Sequence, residues 1–356
     1  MGRSDIIKRL KKEGTVESLV KPRRRFAKPL LYFAGILFLI LISIGFYALA
    51  QTRKIFESNS NFLSFLGDIS QSRLKGEVDG RVNILLLGVG GAKHPGGSLA
   101  DTIQLVSVNT AKNQAAIVSI PRDLGVTISG VGFNKINYAH AYGEQNPKQT
   151  SGGGALMKKT VSQILDLPIH YYARLDFNGF EKLVDALGGV TVNVEKPLND
   201  SFFPAPNMVD YEPFSLKAGI QKLNGKTALK YARSRETTSD FDRSRRQQQV
   251  LKAMAERATS LGILANPAKI VGIVKIIGEH FRTDLTVTEL EKLIKVVKKI
   301  DRDGLKTKVL DTSAEGFLVS SSNGNGYYLA PKAGNFKEIQ VMVKNIFDEP
   351  ASASKP

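Results

Sequence analysis

The sequence predicts an α/β protein: a central mixed sheet covered by helices on both faces, preceded by one transmembrane helix. Three observations predict it. From residue 81 onward, short apolar or alternating runs recur between stretches of helical periodicity. Residues 30–50 run for 21 positions without a charge. The segment before them is strongly basic, with ten Lys/Arg and three Asp/Glu in residues 1–29.

Residues 1–29 read as a basic cytoplasmic tail and 30–50 as the span, since such a helix reaches about 30 Å, the thickness of a bilayer core. A basic flank stays inside, so residues 51–356 are expected outside the cell membrane in a single-pass topology. A cleaved signal peptide is the competing reading, because Ala48-Leu49-Ala50 is a small-residue site. The long tail and the long apolar run argue against it. Residues 51–80 read as a linker, 81–348 as the globular domain and 349–356 as a disordered tail.

Within the domain, VNILLLGV (82–89) is a continuous apolar run, as a strand buried on both faces requires. TIQLVSVN (102–109) and QAAIVSI (114–120) flank a short polar turn and read as a hairpin. GGALMKKTVSQIL (153–165) has helical spacing, YYARLDF (171–177) alternates, and FEKLVDAL (180–187) is a helix closed by Gly188-Gly189 before the strand VTVNV (190–194). Further helices are expected over 223–232, about 240–264, 286–300 and near 335–347, with strands at 305–310 and 317–321.

Composition narrows the function. Apolar residues make up 42% and charged residues 23% of 356, which excludes wholesale disorder. The net charge of +17 points to an anionic partner. With no cysteine, thiolate catalysis and cysteine-ligated metals are excluded. His94, His140, His170 and His280 have no metal-ligand spacing and read as structural or solvated. GIQKLNGKT (219–227) encloses five residues between its glycines rather than the four of a P-loop. Nucleic acid is a poor partner, because the densest basic segment abuts the membrane span and no helix-turn-helix pattern is present. That tail suits topogenesis and anionic membrane lipid.

What remains is arginine beside aspartate. Arg122 follows Ile120-Pro121 where a strand ends, a place where ligands often sit. Arg233 and Arg235 leave a helix. Asp240 opens the long helix as an N-cap candidate, followed by Arg243, Arg246 and Gln247. Any one of these arginines reads alone as a solvated basic surface. Three clusters at element ends point instead to an anion site, where guanidinium forks suit a diphosphate. Chemistry on a diphosphate usually needs a divalent cation, and Asp101 is either its ligand or a strand-start turn residue.

In order, NILLLG (83–88), ADTIQLVSVN, VSIPRDLGVTI, NKINYAHAYG, LDFNGFEKLVDALGGVTVNV, LKAGIQKLNGKTALKYARSR and DFDRSRRQQQVL resemble the LytR-CpsA-Psr family of cell-wall proteins. The resemblance is dense over 81–256. It implies an α/β/α sandwich with a hydrophobic pocket for a polyprenyl chain. The implied activity is transfer of a phospho-linked glycopolymer, such as teichoic acid or capsule, from a polyprenyl-diphosphate carrier to peptidoglycan. By position, Asp101 matches the family's magnesium-binding aspartate, Arg122 the arginine of I-P-R-D, and Arg233 and Arg235 the pair of Y-A-R-x-R. Asp240 and Arg243 match D-x-x-R, and Arg246-Gln247 its extension. Asp240 is open between orienting the acceptor hydroxyl and capping the helix.

One position departs from the pattern. The family usually reads G-x-D after the first strand, whereas this chain has Gly88-Val89-Gly90. Magnesium would then rest on Asp101, phosphates and water, or another residue compensates, or the protein binds without turning over. The rival functions are therefore a polyprenyl-diphosphate pyrophosphatase and a noncatalytic polyprenyl-phosphate-binding envelope regulator.

Overall fold

The structure is a computed structural model. It describes residues 73–348 except 93, 206–208, 235–239, 261–272, 274–277, 279, 298, 301–304 and 325. The expected cytoplasmic tail, the span at 30–50, most of the linker and the C-terminal tail lie outside the described residues. Among the described residues, no helix is long and apolar enough to cross a membrane.

The central element is a six-stranded mixed sheet of order β11-β6-β1-β2-β3-β12. Its strands are β1 (Arg81–Val89), β2 (Ala100–Asn109), β3 (Gln114–Ser119), β6 (Tyr171–Asp176), β11 (Phe281–Thr283) and β12 (Lys306–Val309). β1 pairs antiparallel with β2, and β2 with β3, so the expected hairpin forms. β6 runs parallel to β1 and β12 parallel to β3. β1, β3, β6 and β12 therefore all end at one edge of the sheet, and β2 begins there.

Alternation along the strands sorts side chains to two faces. Leu85, Leu87, Ile103, Leu105, Ala116 and Val118 build the main core, covered by α1 (Tyr138–Gln145), α2 (Gly153–Leu165) and α7 (Lys337–Lys344). On the opposite face, Val82, Ile84 and Tyr171 pack against Leu290 and Leu293 of α6 (Val287–Val297). Leu74 joins this second cluster although it falls in the segment read as linker. α5 (Asp240–Ser260) crosses the same face, where Gln248 donates to Ser119 Oγ at 2.9 Å. A third cluster joins α3 (Phe177–Ala186), α4 (Gly225–Arg233) and α5 to the antiparallel pair of β7 (Val190–Val194) and β10 (Gly219–Leu223).

Three two-stranded pieces were not read from the sequence: β4 (Gly125–Ile128) with β5 (Gly132–Lys135), β8 (Leu198–Asp200) with β9 (Phe214–Leu216), and the β13 (Leu318–Asn323)–β14 (Gly326–Pro331) hairpin, of which only 317–321 was expected. The helix expected from 223 starts at Gly225. Asn224 caps it by accepting the Thr227 amide at 2.9 Å, which leaves Leu223 to end β10.

Candidate active site

The edge where β1, β3 and β6 end gathers the predicted side chains, as open α/β sheets do for ligands. The β1–β2 register pairs Gly88 with Thr102 and Val89 with Ala100, so Asp101 is the extra residue of a β-bulge. A bulge re-aims a side chain beside a site. Asp101 Oδ1 meets Arg122 Nη1 at 2.5 Å, just after Pro121 ends the β3 segment. Arg122 Nε also lies 3.5 Å from Asp123 Oδ2, whose other oxygen accepts from Lys135 Nζ at 2.8 Å. Asp101, Arg122, Asp123 and Lys135 form one continuous ionic chain.

Arg233 reaches the same edge from the last residue of α4. Its guanidinium lies over the Phe177 ring, 4.3 Å from the centroid, and near Phe203 at 5.4 Å. Its Nη2 donates to His94 Nε2 at 3.4 Å. His94 Nδ1–H donates to the Pro95 carbonyl at 2.8 Å, which leaves Nε2 as the acceptor. The His94 ring stands edge-on to Phe177, with centroids 5.2 Å apart. It also lies over Gly90: a Cβ on that glycine would be 2.8 Å from His94 Cγ and Nδ1. The imidazole thus fills the space beside the backbone where the family pattern has its carboxylate.

Arg246 and Gln247 meet the end of α4. Arg246 Nε donates to the Tyr231 carbonyl at 2.9 Å, and its Nη2 donates to the Ser234 carbonyl. Gln247 Nε2 donates to the Ala232 carbonyl at 3.3 Å. These side chains cap the C-terminus of α4, the helix end that leaves carbonyls without internal partners. They close the end of the helix whose last residue is Arg233. Burial holds the Arg246 guanidinium below its ordinary pKa, against the partial compensation of nearby Tyr231, Asp242 and Asp200. Ser234 is fixed from its other side by its hydroxyl, which donates to buried Asp200 at 2.6 Å. Arg243 is buried at 5% exposure one turn before Arg246. Arg235 lies outside the described residues. Asp240 is the first residue of α5, and its side chain also lies outside them.

A family model, LytR_cpsA_psr, matches residues 49–345. The chain belongs to the LytR-CpsA-Psr family. The Staphylococcus aureus (strain COL) protein named Regulatory protein MsrR is 35% identical over 213 residues, 58% of this chain and 59% of its own. The match therefore spans less than two thirds of that relative. The Oceanobacillus iheyensis polyisoprenyl-teichoic acid–peptidoglycan teichoic acid transferase TagU is 31% identical over 318 residues, 87% of this chain and 91% of its own. The solved structure of TagT bound to LIIa-WTA superposes with a TM-score of 0.60 at 25% identity, covering 79% of this chain and 95% of that one.

Within this family frame, His94, Phe177, Asp200 and Ser234 are the site residues that sequence reasoning missed. No spacing rule places an imidazole over a glycine four residues earlier. Among the described residues, no three of His, Cys, Asp and Glu group closely enough to hold a metal ion. The carboxylates at this edge are engaged one by one: Asp101 by Arg122, Asp123 by Lys135, and Asp176, the last residue of β6, by His280 Nδ1 at 3.0 Å.

Proposed function

We propose that the protein is a membrane-anchored phosphotransferase that moves a phospho-linked glycopolymer from a polyprenyl-diphosphate carrier to peptidoglycan. The observation that carries this reading is the convergence of Asp101, Arg122 and Arg233, distant in sequence, on one edge of the sheet. TagU and TagT, relatives whose names state such a transfer, support the substrate class.

In this reading a peptidoglycan hydroxyl attacks the phosphorus nearest the glycan. The bridging P–O bond breaks, polyprenyl monophosphate leaves, and the hydroxyl proton passes to a base. Arg122 and Arg233 neutralise charge that spreads over the phosphoryl oxygens, and their fixed placement spares reorganisation. The Phe177 face and the His94 acceptor hold Arg233, while Arg246 and Gln247 hold the helix end beneath it. Asp240 at the head of α5 is the proposed acceptor of the proton. Magnesium brought in with the diphosphate would be held by Asp101 together with phosphate oxygens and water. Bound so, it would supply further neutralisation of phosphate charge.

Anchoring by residues 30–50 would keep this edge where lipid-linked glycans are presented. A reporter fused after residue 51 should be active only outside the cytoplasm, and cytoplasmic activity would overturn that topology. The reaction is tested with the full-length protein in lipid nanodiscs, a polyprenyl-diphosphate-linked sugar, peptidoglycan oligomers and magnesium. A sugar–phosphate–glycan product supports transfer. Polyprenyl monophosphate without that product supports hydrolysis, and binding without turnover supports a regulator, the role that the MsrR name states for that relative.

A further inference from the structure

An exposed aromatic surface adjoins the ionic chain that starts at Arg122. Phe133 and Tyr327 are 44% and 50% exposed, a large apolar area to leave in water. Phe133 meets Tyr328 edge to face, with centroids 4.9 Å apart at 78°. Both rings lie over Gly125, where a Cβ would come within 2.6 Å of each, so a side chain at that strand position would push the rings aside. The surface is fixed to the site by backbone: Leu329 N donates to the Asp123 carbonyl at 2.9 Å, and Leu124 bridges Leu329. Lys135 Nζ sits 5.4 Å from the Tyr327 centroid while it holds Asp123. The rings, Lys135, Asp123 and Arg122 are therefore contiguous.

We propose that Phe133, Tyr327 and Tyr328 bind a sugar ring of the acceptor glycan. This rests on the transfer reading above. A pyranose has an apolar C–H face and a rim of hydroxyls, and this surface pairs flat rings with a Lys–Asp pair at their border. Lipid insertion suits it less, because it would press that ion pair into an apolar phase. Continuity with Arg122 supplies the direction: a glycan seated here runs toward the arginine proposed to hold the phosphate under attack.

The test measures a peptide-free tetrasaccharide of alternating N-acetylglucosamine and N-acetylmuramic acid by calorimetry against the full-length protein in nanodiscs, with no lipid donor. Phe133→Leu and Tyr327→Leu keep apolar bulk and lose the flat ring; Tyr327 is half exposed, so its variant does not depend on core packing. Each should weaken binding about three- to tenfold, and in the transfer assay should raise KM for the acceptor by a similar factor with KM for the donor unchanged. Equal affinity in wild type and both variants would overturn the proposal, as would no binding by the wild type. Variant-sensitive binding of the stem peptide without sugar would also overturn it, in favour of a peptide surface. Because no donor is present, a failure here leaves the transfer reading to its own assay.

Discussion

Arg122 Nη1 stands 2.5 Å from Asp101 Oδ1, so the residue bulged from the start of β2 meets the residue that follows the end of β3. Two strands that are neighbours in the sheet thus deliver opposite charges to one edge. The pair orients the guanidinium at the head of the ionic chain that runs on through Asp123 to Lys135.

Arg122→Ala and Arg233→Ala should each lower turnover by about 10- to 150-fold, the loss of one charge-assisted contact of about 1.5–3 kcal/mol. Arg122→Lys should recover only part, because an ammonium lacks the bidentate fork. Steady-state kinetics on folded variants checks this. Near-wild-type rates in all three would return these arginines to a basic surface.

Arg246→Ala should behave differently from Arg233→Ala. Its guanidinium serves the Tyr231 and Ser234 carbonyls, so its loss should cost about 1.5–3 kcal/mol of stability in urea unfolding. Activity should fall as well, through a loosened α4 end. Arg233→Ala should leave the unfolding midpoint close to wild type. An Arg246→Ala protein with unchanged stability would contradict the capping role.

Much of this arrangement was legible in the sequence. The apolar and alternating runs of β1, β2 and β3 announced themselves, and Asp101, Arg122 and Arg233 stood out because each closes or opens an element. β4 and β5 did not, since GVTI and GFNK are too short for alternation to register. Arg246 and Gln247 were placed on the right helix, but their contacts with the α4 carbonyls were not foreseen. Spacing from Asp240 fixes their helix positions but not the α4 carbonyls that packing brings within reach. His94 was dismissed for want of metal-ligand spacing, while tertiary contact with Phe177 and Gly90 decides its place.

The Gly90 position makes that contact testable. Its φ lies outside the left-handed region, unlike that of Gly91, so the backbone accepts aspartate there. The obstacle is the His94 ring. Gly90→Asp alone should force the new side chain against the ring and lower the unfolding midpoint, whereas Gly90→Asp with His94→Gly should restore that midpoint. The double variant should also need less magnesium for half-saturation, since an added carboxylate strengthens cation binding. Magnesium titrations of activity compare the two, and a single variant that matches the double would contradict the steric account.

Two histidines predict acid sensitivity of the fold. His140 is buried, with Nδ1–H donating to the Ser98 carbonyl at 2.6 Å and Nε2, among the described residues, lacking a hydrogen-bond partner. Burial holds its pKa below the ordinary 6.5, outweighing Glu144, which raises it, and aided by Arg174, which lowers it. His170 is depressed too, chiefly by burial, with Asp79 opposing and Lys158 and Lys75 assisting, and its Nδ1 accepts the Asn83 amide at 2.9 Å. For both, the unfolded chain binds the proton more tightly, so stability is full above about pH 6.5 and falls as pH drops below it. Unfolding midpoints between pH 7.5 and 5 should show this slope, and His140→Asn should reduce it. An unchanged slope in that variant would remove His140 from the account.

The most direct test of the central claim follows one phosphorus atom. A donor labelled only in the phosphate next to the sugar is incubated with the full-length protein in nanodiscs, magnesium and peptidoglycan oligomers, and the label is traced. The transfer account predicts label covalently attached to the glycan, unlabelled polyprenyl monophosphate, and loss of both products in Arg233→Ala. Label recovered only in water-soluble sugar phosphate, with none on the glycan, would contradict it.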